Sequence, residues 1–206
     1  MATPDGPLVA VLDYGIGNLR SAQKGLERVG ADARLTADTG LIADAVAVVL
    51  PGVGNFGRCM EALRGAGLEA VAHDAIESGR PFLGICVGMQ MLCEGSDESP
   101  GVSGLGRFPV TIRRLPDGVK HPQMQWNRLH LRRSLPVFDG LGAEPWMYFV
   151  HSFSAADSDA TVATCDYGGD VVAAMADANV VATQFHPEKS GANGLALLAN
   201  WVGALT

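Results

Sequence analysis

The feature that most limits what this chain can fold into is the alternation, over its first half, of short apolar runs with helical periods. "LVAVLDY" (Leu8 to Tyr14) reads as a buried strand. "NLRSAQKGLERVG" (Asn18 to Gly30) repeats apolar residues at Leu19, Ala22, Leu26 and Val29, the period of a helix, and stops at a glycine. "DARLT" is a short strand, and "VAVVL" (Val46 to Leu50) is a buried one. Helical sequence then runs to Ser78, followed by a strand at "RPFLGIC" (Arg80 to Cys86) that enters "VGMQMLCEG". Strands that are apolar throughout, separated by helices, predict a mostly parallel sheet covered by helices on both faces.

The second half has a different grammar. From Gly95 to Pro136 the chain is rich in Gly, Pro and polar residues, with β-like pieces such as "FPVTIRRL". "WMYFVHSFSA", "ATVATCDYG", "VVAAMAD" and "NVVATQFHPE" read as strands in antiparallel hairpins, and "ANGLALLANWVGAL" as a closing helix. The expectation is one α/β domain over residues 1–206, an open mostly parallel sheet with an antiparallel β addition. A chain of 206 residues, 48% hydrophobic and 18% charged, can bury such a core without disulfides or metals.

Composition also excludes function classes. A net charge of −7 without a basic stripe argues against nucleic-acid binding. The start "MATPDGPLVAVLDYG" lacks the basic and long apolar segments of a signal peptide, and no apolar run approaches the roughly 20 residues that cross a bilayer. The four cysteines (Cys59, Cys86, Cys93, Cys165) are far apart with no C-x-x-C pair, as expected of reduced thiols in a cytoplasmic protein rather than a zinc site. No metal and no cofactor are expected.

"PGVGNFG" (Pro51 to Gly57) has the glycine spacing of a dinucleotide-binding loop, but it follows the third predicted strand rather than the first. At the first β-α turn, "DYGIGNLR", Arg20 stands where the third glycine belongs. The glycines fit two other readings: a sharp turn, or a backbone N–H brought up to a reacting carbonyl oxygen. The second needs a nucleophile nearby, and Gly84-Ile85-Cys86-Val87-Gly88 offers one, a strand-turn-helix elbow of the form G-x-C-x-G. It sets the Cys86 sulfur at a helix N-terminus, where the dipole favours the reactive thiolate.

A base and an orienter for that thiol are found in "TQFHPEKS". His186 and Glu188 are two residues apart, so in extended chain both project to the same side, and the carboxylate can fix the imidazole's tautomer. This predicts a Cys86–His186–Glu188 triad. Elbow enzymes take one oxyanion N–H from the residue after the nucleophile, here Val87, and one from a loop after a neighbouring strand, here the glycine turn at Gly52-Val53.

"LGICVGMQ" together with "HPE" resembles the class I, triad-type glutamine amidotransferases. "DYGIGNLRS" (Asp13 to Ser21), "LPGVGNFG" (Leu50 to Gly57), "YFVHSF" (Tyr148 to Phe153) and "HPEKS" (His186 to Ser190) narrow the resemblance to the glutaminase subunits of imidazole glycerol phosphate synthase, and span nearly the whole chain. The resemblance implies hydrolysis of glutamine to glutamate and ammonia by Cys86, His186 and Glu188, with Val53 and Val87 at the oxyanion. Gly52, Gln90 and Ser152 would hold the amino-acid end of glutamine. A cyclase subunit, a (β/α)8 barrel, would form the heterodimer and receive the ammonia, in histidine biosynthesis. Asn18, Trp126 and Lys189 match interface positions. The family commonly reads P-H-M-G-W-N before and through that tryptophan, whereas this chain has Pro122-Gln123-Met124-Gln125-Trp126-Asn127, a departure that bears on the interface. His151 is read as a core histidine without a catalytic role.

Overall fold

The computed structural model of the chain describes residues 6–17 and 19–205. Its centre is an eight-stranded sheet built from β1 (Leu8–Leu12), β2 (Asp32–Thr36), β3 (Ala47–Gly52), β4 (Phe82–Cys86), β8 (His130–Leu131), β11 (Thr161–Asp166), β12 (Asp170–Asp177) and β13 (Val180–Thr183), in the order β2-β1-β3-β4-β13-β12-β11-β8. The pairs from β2 through β13 are parallel. Those from β13 to β8 are antiparallel.

Every residue of β3 and β4 is buried, which requires cover on both faces. Two groups of helices provide it. Helix α1 (Leu19–Arg28) packs against α6 (Gly191–Gly203), while α2 (Thr39–Asp44), α3 (Phe56–Gly65), α4 (Leu68–Glu77) and α5 (Val87–Met91) contact one another in a second group. Asn55 caps α3, its Oδ1 accepting from Arg58 N at 3.1 Å.

The expected helix through Ser78 is two helices. Gly67 takes φ +72°, a left-handed conformation that α-helix cannot continue through, and α4 restarts after it. The segment after Cys86 is helical only to Met91; Cys93–Ser96 forms β5 of a three-stranded sheet with β6 (Phe108–Arg114) and β10 (Phe153–Ala155). "WMYFVHSFSA" is likewise not one strand. It divides into β9 (Trp146–His151) and β10, and β9 pairs instead with β7 (Gln123–Arg128) in a separate antiparallel ribbon. "NVVATQFHPE" does form a hairpin with β12, but its other edge docks parallel to β4, so it sits inside the main sheet. That docking carries the histidine beyond β13 to the carboxyl end of β4.

Candidate active site

Register fixes the first half of the site. Gly52 lies opposite Cys86 across the β3–β4 pair, so the glycine turn and the elbow are side by side at the carboxyl ends of parallel strands, the usual place for a ligand crevice in an open α/β sheet. Cys86 has φ +55° and ψ −112°, a backbone conformation seldom adopted by a residue with a side chain. The turn closes because Gly88 has no side chain: a Cβ there would collide with the carbonyl oxygen of Leu50 on β3. Gly52 is similarly confined, since its Cβ would meet Gly88 N at 2.8 Å and Val87 Cβ at 3.0 Å.

The second half comes from the chain after β13. His186 N–H donates to Tyr148 O at 3.0 Å, and Ser190 Oγ bridges the same segments by donating to His186 O at 2.6 Å and accepting from Tyr148 N at 2.9 Å. The imidazole so held is buried, and its Nδ1 bonds Glu188 Oε1 at 2.7 Å, with both side chains under 5% exposed. Glu188 is itself packed against α1, where Gly25 leaves just enough room: a Cβ there would stand 3.2 Å from Glu188 Cβ.

Burial alone would depress the basicity of His186. The Cys86 sulfur and the Glu188 carboxylate outweigh it and carry the ring up to about 9. His186 is therefore a cation at neutral pH, one nitrogen on Glu188. The other, Nε2, is buried and makes no hydrogen bond of full geometry.

Cys86, His186, Val53, Val87, Gln90, Ser152 and Lys189 all line one cavity of about 440 Å³, within the range that encloses small metabolites. The Val150–Phe153 segment lines the same cavity. Gly52 is buried beneath the turn rather than on the cavity surface. Gln90 is 3% exposed, and its amide nitrogen already donates to Phe153 O and Gln184 Oε1, both at 3.0 Å. The Ser152 carbonyl accepts from Leu115 N at 3.0 Å.

A model of the family "Glutamine amidotransferase class-I" matches residues 10–204. The chain belongs to that family. Curated relatives place this amidotransferase more closely. It is 45% identical to "Imidazole glycerol phosphate synthase subunit HisH" of Syntrophotalea carbinolica, covering 94% of this chain and 98% of the relative. It is 46% identical to the subunit of the same name from Methanothermobacter thermautotrophicus, with 95% and 98% covered, and 47% identical to that of Deinococcus radiodurans, with 95% and 93% covered. At these identities and coverages it is a member of the HisH subunit family. Among solved structures, PurLQS from Thermotoga maritima superposes with a TM-score of 0.77 at 18% identity over 98% of this chain and all (100%) of the other, a likeness of fold alone.

Several residues of this amidotransferase site were not singled out in the sequence. Gln184 Nε2 points its hydrogen at Cys86 Sγ, 3.8 Å away. Gln184 stands two residues before His186, just past the end of β13, a signal present in "TQFHPE"; Glu188, by contrast, reaches the ring from a 3-10 turn at Pro187–Lys189 and not from the extended chain that the spacing suggested. Glu98 lines the cavity and accepts from Phe56 N at 2.8 Å, and nothing in its local sequence marks it. His151 is buried as expected. Its ring lies between Phe153 O and the Gln123 amide, each at 2.9 Å, and burial lowers it to about 4, so it is neutral. Trp126 is 47% exposed on β7, beside Met124 at 60% and Trp146 at 46%. Lys189 lies at the cavity instead of on that ribbon, and Asn18 falls outside the described residues.

Proposed function

We propose that this chain is the glutaminase of an imidazole glycerol phosphate synthase, working in histidine biosynthesis with a cyclase subunit. The observation that carries the reading is the buried His186–Glu188 pair beside a cysteine in a strained elbow. The Cys86 thiolate attacks the side-chain amide carbon of glutamine. The tetrahedral oxyanion is held by the N–H groups of Val53 and Val87. As the C–N bond breaks, the His186 imidazolium gives its proton to the nitrogen, ammonia leaves and a thioester remains. His186, now neutral, takes a proton from water, whose oxygen displaces the thiolate and releases glutamate. Glu188 holds the ring in the required tautomer throughout.

Gly52, Gln90 and Ser152 hold the amino-acid end of glutamine in this reading. Because the Gln90 amide nitrogen is occupied within the protein, its help to glutamine is mainly in shaping the cavity floor. The cyclase, a (β/α)8 barrel, docks on the side where Trp126 is exposed; Lys189, at the cavity, and Asn18 are further interface residues in this reading. A cluster of large apolar side chains in solvent is the kind of surface that anchors a partner. The ammonia passes to the cyclase, which makes imidazole glycerol phosphate and an aminoimidazole carboxamide ribonucleotide. The assembly works in the cytoplasm, consistent with the absence, among the described residues, of any helix long and apolar enough to cross a membrane.

The test is Cys86→Ala in the complex with the cyclase. Glutamine-dependent synthesis is lost, by at least about a thousandfold, while synthesis from added ammonia continues. Glutamine-dependent turnover retained in that variant would refute the assignment of Cys86.

A further inference from the structure

Two buried side chains lie beneath the glycine turn and do not line the cavity. Tyr14, 5% exposed, follows β1 and donates its hydroxyl to Pro51 O at 2.5 Å. Cys59, fully buried in α3, donates its thiol hydrogen to Val53 O at 3.3 Å. Those carbonyls belong to the peptides immediately before and after Gly52–Val53. The peptide that carries the Val53 N–H is therefore flanked on both sides by carbonyls fixed from below.

The contacts are built into the turn. Gly52 must be glycine partly because a Cβ would stand 3.0 Å from the Tyr14 hydroxyl. Burial lifts the Tyr14 phenol far above its ordinary value and the Cys59 thiol to about 11, so both keep their hydrogens at neutral pH. With the flanking carbonyls held, the turn cannot swing as a body. Opposed changes of ψ at Gly52 and φ at Val53 still rotate the one peptide between them and leave its neighbours in place.

We infer that Tyr14 and Cys59 are positioning residues of the oxyanion site, clamping the carbonyls on either side of Gly52–Val53 so that the peptide bearing the Val53 N–H keeps its place beside the elbow, with rotation about its own axis the only freedom left to turn that N–H toward the developing negative charge. The inference rests on the oxyanion role proposed above for Val53. Its signature is selective. An N–H aimed at the oxyanion strengthens binding only in the transition state, so loosening it lowers kcat and leaves KM for glutamine alone.

The experiment uses the full-length chain in complex with its cyclase, comparing wild type, Tyr14→Phe, Cys59→Ala and Cys59→Ser. Tyr14→Phe and Cys59→Ala are expected to lower kcat for glutamine hydrolysis about tenfold with KM within about twofold of wild type. Cys59→Ser restores a donor and recovers most of the rate. Ammonia-dependent synthesis is the same in all four. Unchanged kcat in both donor-less variants would overturn the inference, as would a serine variant no better than alanine, or a rise in KM at constant kcat. If Tyr14→Phe does not fold, the alanine–serine pair at Cys59 decides alone. A wild-type complex that fails to hydrolyse glutamine removes the proposed function itself, an outcome distinct from active wild type with indifferent variants.

Discussion

The two walls of the cleft are made on opposite principles. One wall, the elbow and the glycine turn, rises from strands in which every residue is buried and where backbone atoms pack so closely that Gly52 and Gly88 admit no side chain. The other is the β7–β9 ribbon and its continuation to Phe153, which turns Met124, Trp126 and Trp146 into solvent. The first wall is specified by steric exclusion at Gly52 and Gly88. The second is paired along its full length and buries Met147, Phe149 and His151 on one face, but leaves apolar area exposed on the other. On the proposed function, the wall that reacts is finished within the chain, and the wall that docks is left to be finished by its partner.

The sharpest break of that contrast is on the catalytic side. Glu188→Gln keeps the size of the side chain but removes the charge that fixes His186, and kcat is expected to fall on the order of a thousandfold. It also shifts the pH profile. In the wild type the raised His186 value means that the ring's favourable interactions are present in full below its ordinary value near 6.5 and are lost as pH rises through about 9. Without the carboxylate that loss begins at lower pH. A pH series of glutamine hydrolysis on both proteins checks the direction, and coincident alkaline limbs would contradict it.

Next in size is Gly88→Ala. The added methyl collides with the Leu50 carbonyl, a backbone atom that cannot turn away, so stability should drop by about 3 kcal/mol. Chemical denaturation measures it. A loss no greater than that of an exposed alanine substitution would mean that the wall is softer than its packing implies.

The smallest effect belongs to the docking wall. Trp126→Ala removes a half-exposed ring whose loss leaves the fold standing, with a melting temperature close to wild type. Affinity for the cyclase is expected to weaken by about 2 kcal/mol, roughly thirtyfold. Calorimetric titration with the cyclase reads this directly. If instead stability falls and affinity holds, the ribbon is core and the contrast between the walls disappears.

The two walls were also unequally legible in the sequence. The parallel half follows local rules: runs such as "VAVVL" are apolar throughout because both faces are covered, and the spacing of Leu19, Ala22 and Leu26 has the period of a helix. The elbow could be read because its chemistry dictates small residues at fixed offsets from Cys86. The ribbon could not. "QMQWNR" alternates polar and apolar as a half-buried strand would, but with its faces inverted, Gln123 buried and Met124 and Trp126 exposed, and its partner β9 begins only after a long excursion through β8.

What the sequence by itself determined, then, is each local unit: the βα alternation, the glycine-framed cysteine, and a histidine and carboxylate two residues apart on a stiff "HPE" segment. Only the tertiary structure decided which units meet. That β13 docks on β4 rather than at a sheet edge, bringing His186 to Cys86 from a hundred positions away, depends on the pairing of two buried strands, and neither strand's residues name the other. The same holds for Tyr14 and Cys59, which reach the glycine turn from β1 and α3. Side-chain periodicity records which face of an element is buried, because burial is a local free-energy choice. It does not record against what, because apolar burial is non-directional and many neighbours would satisfy it equally.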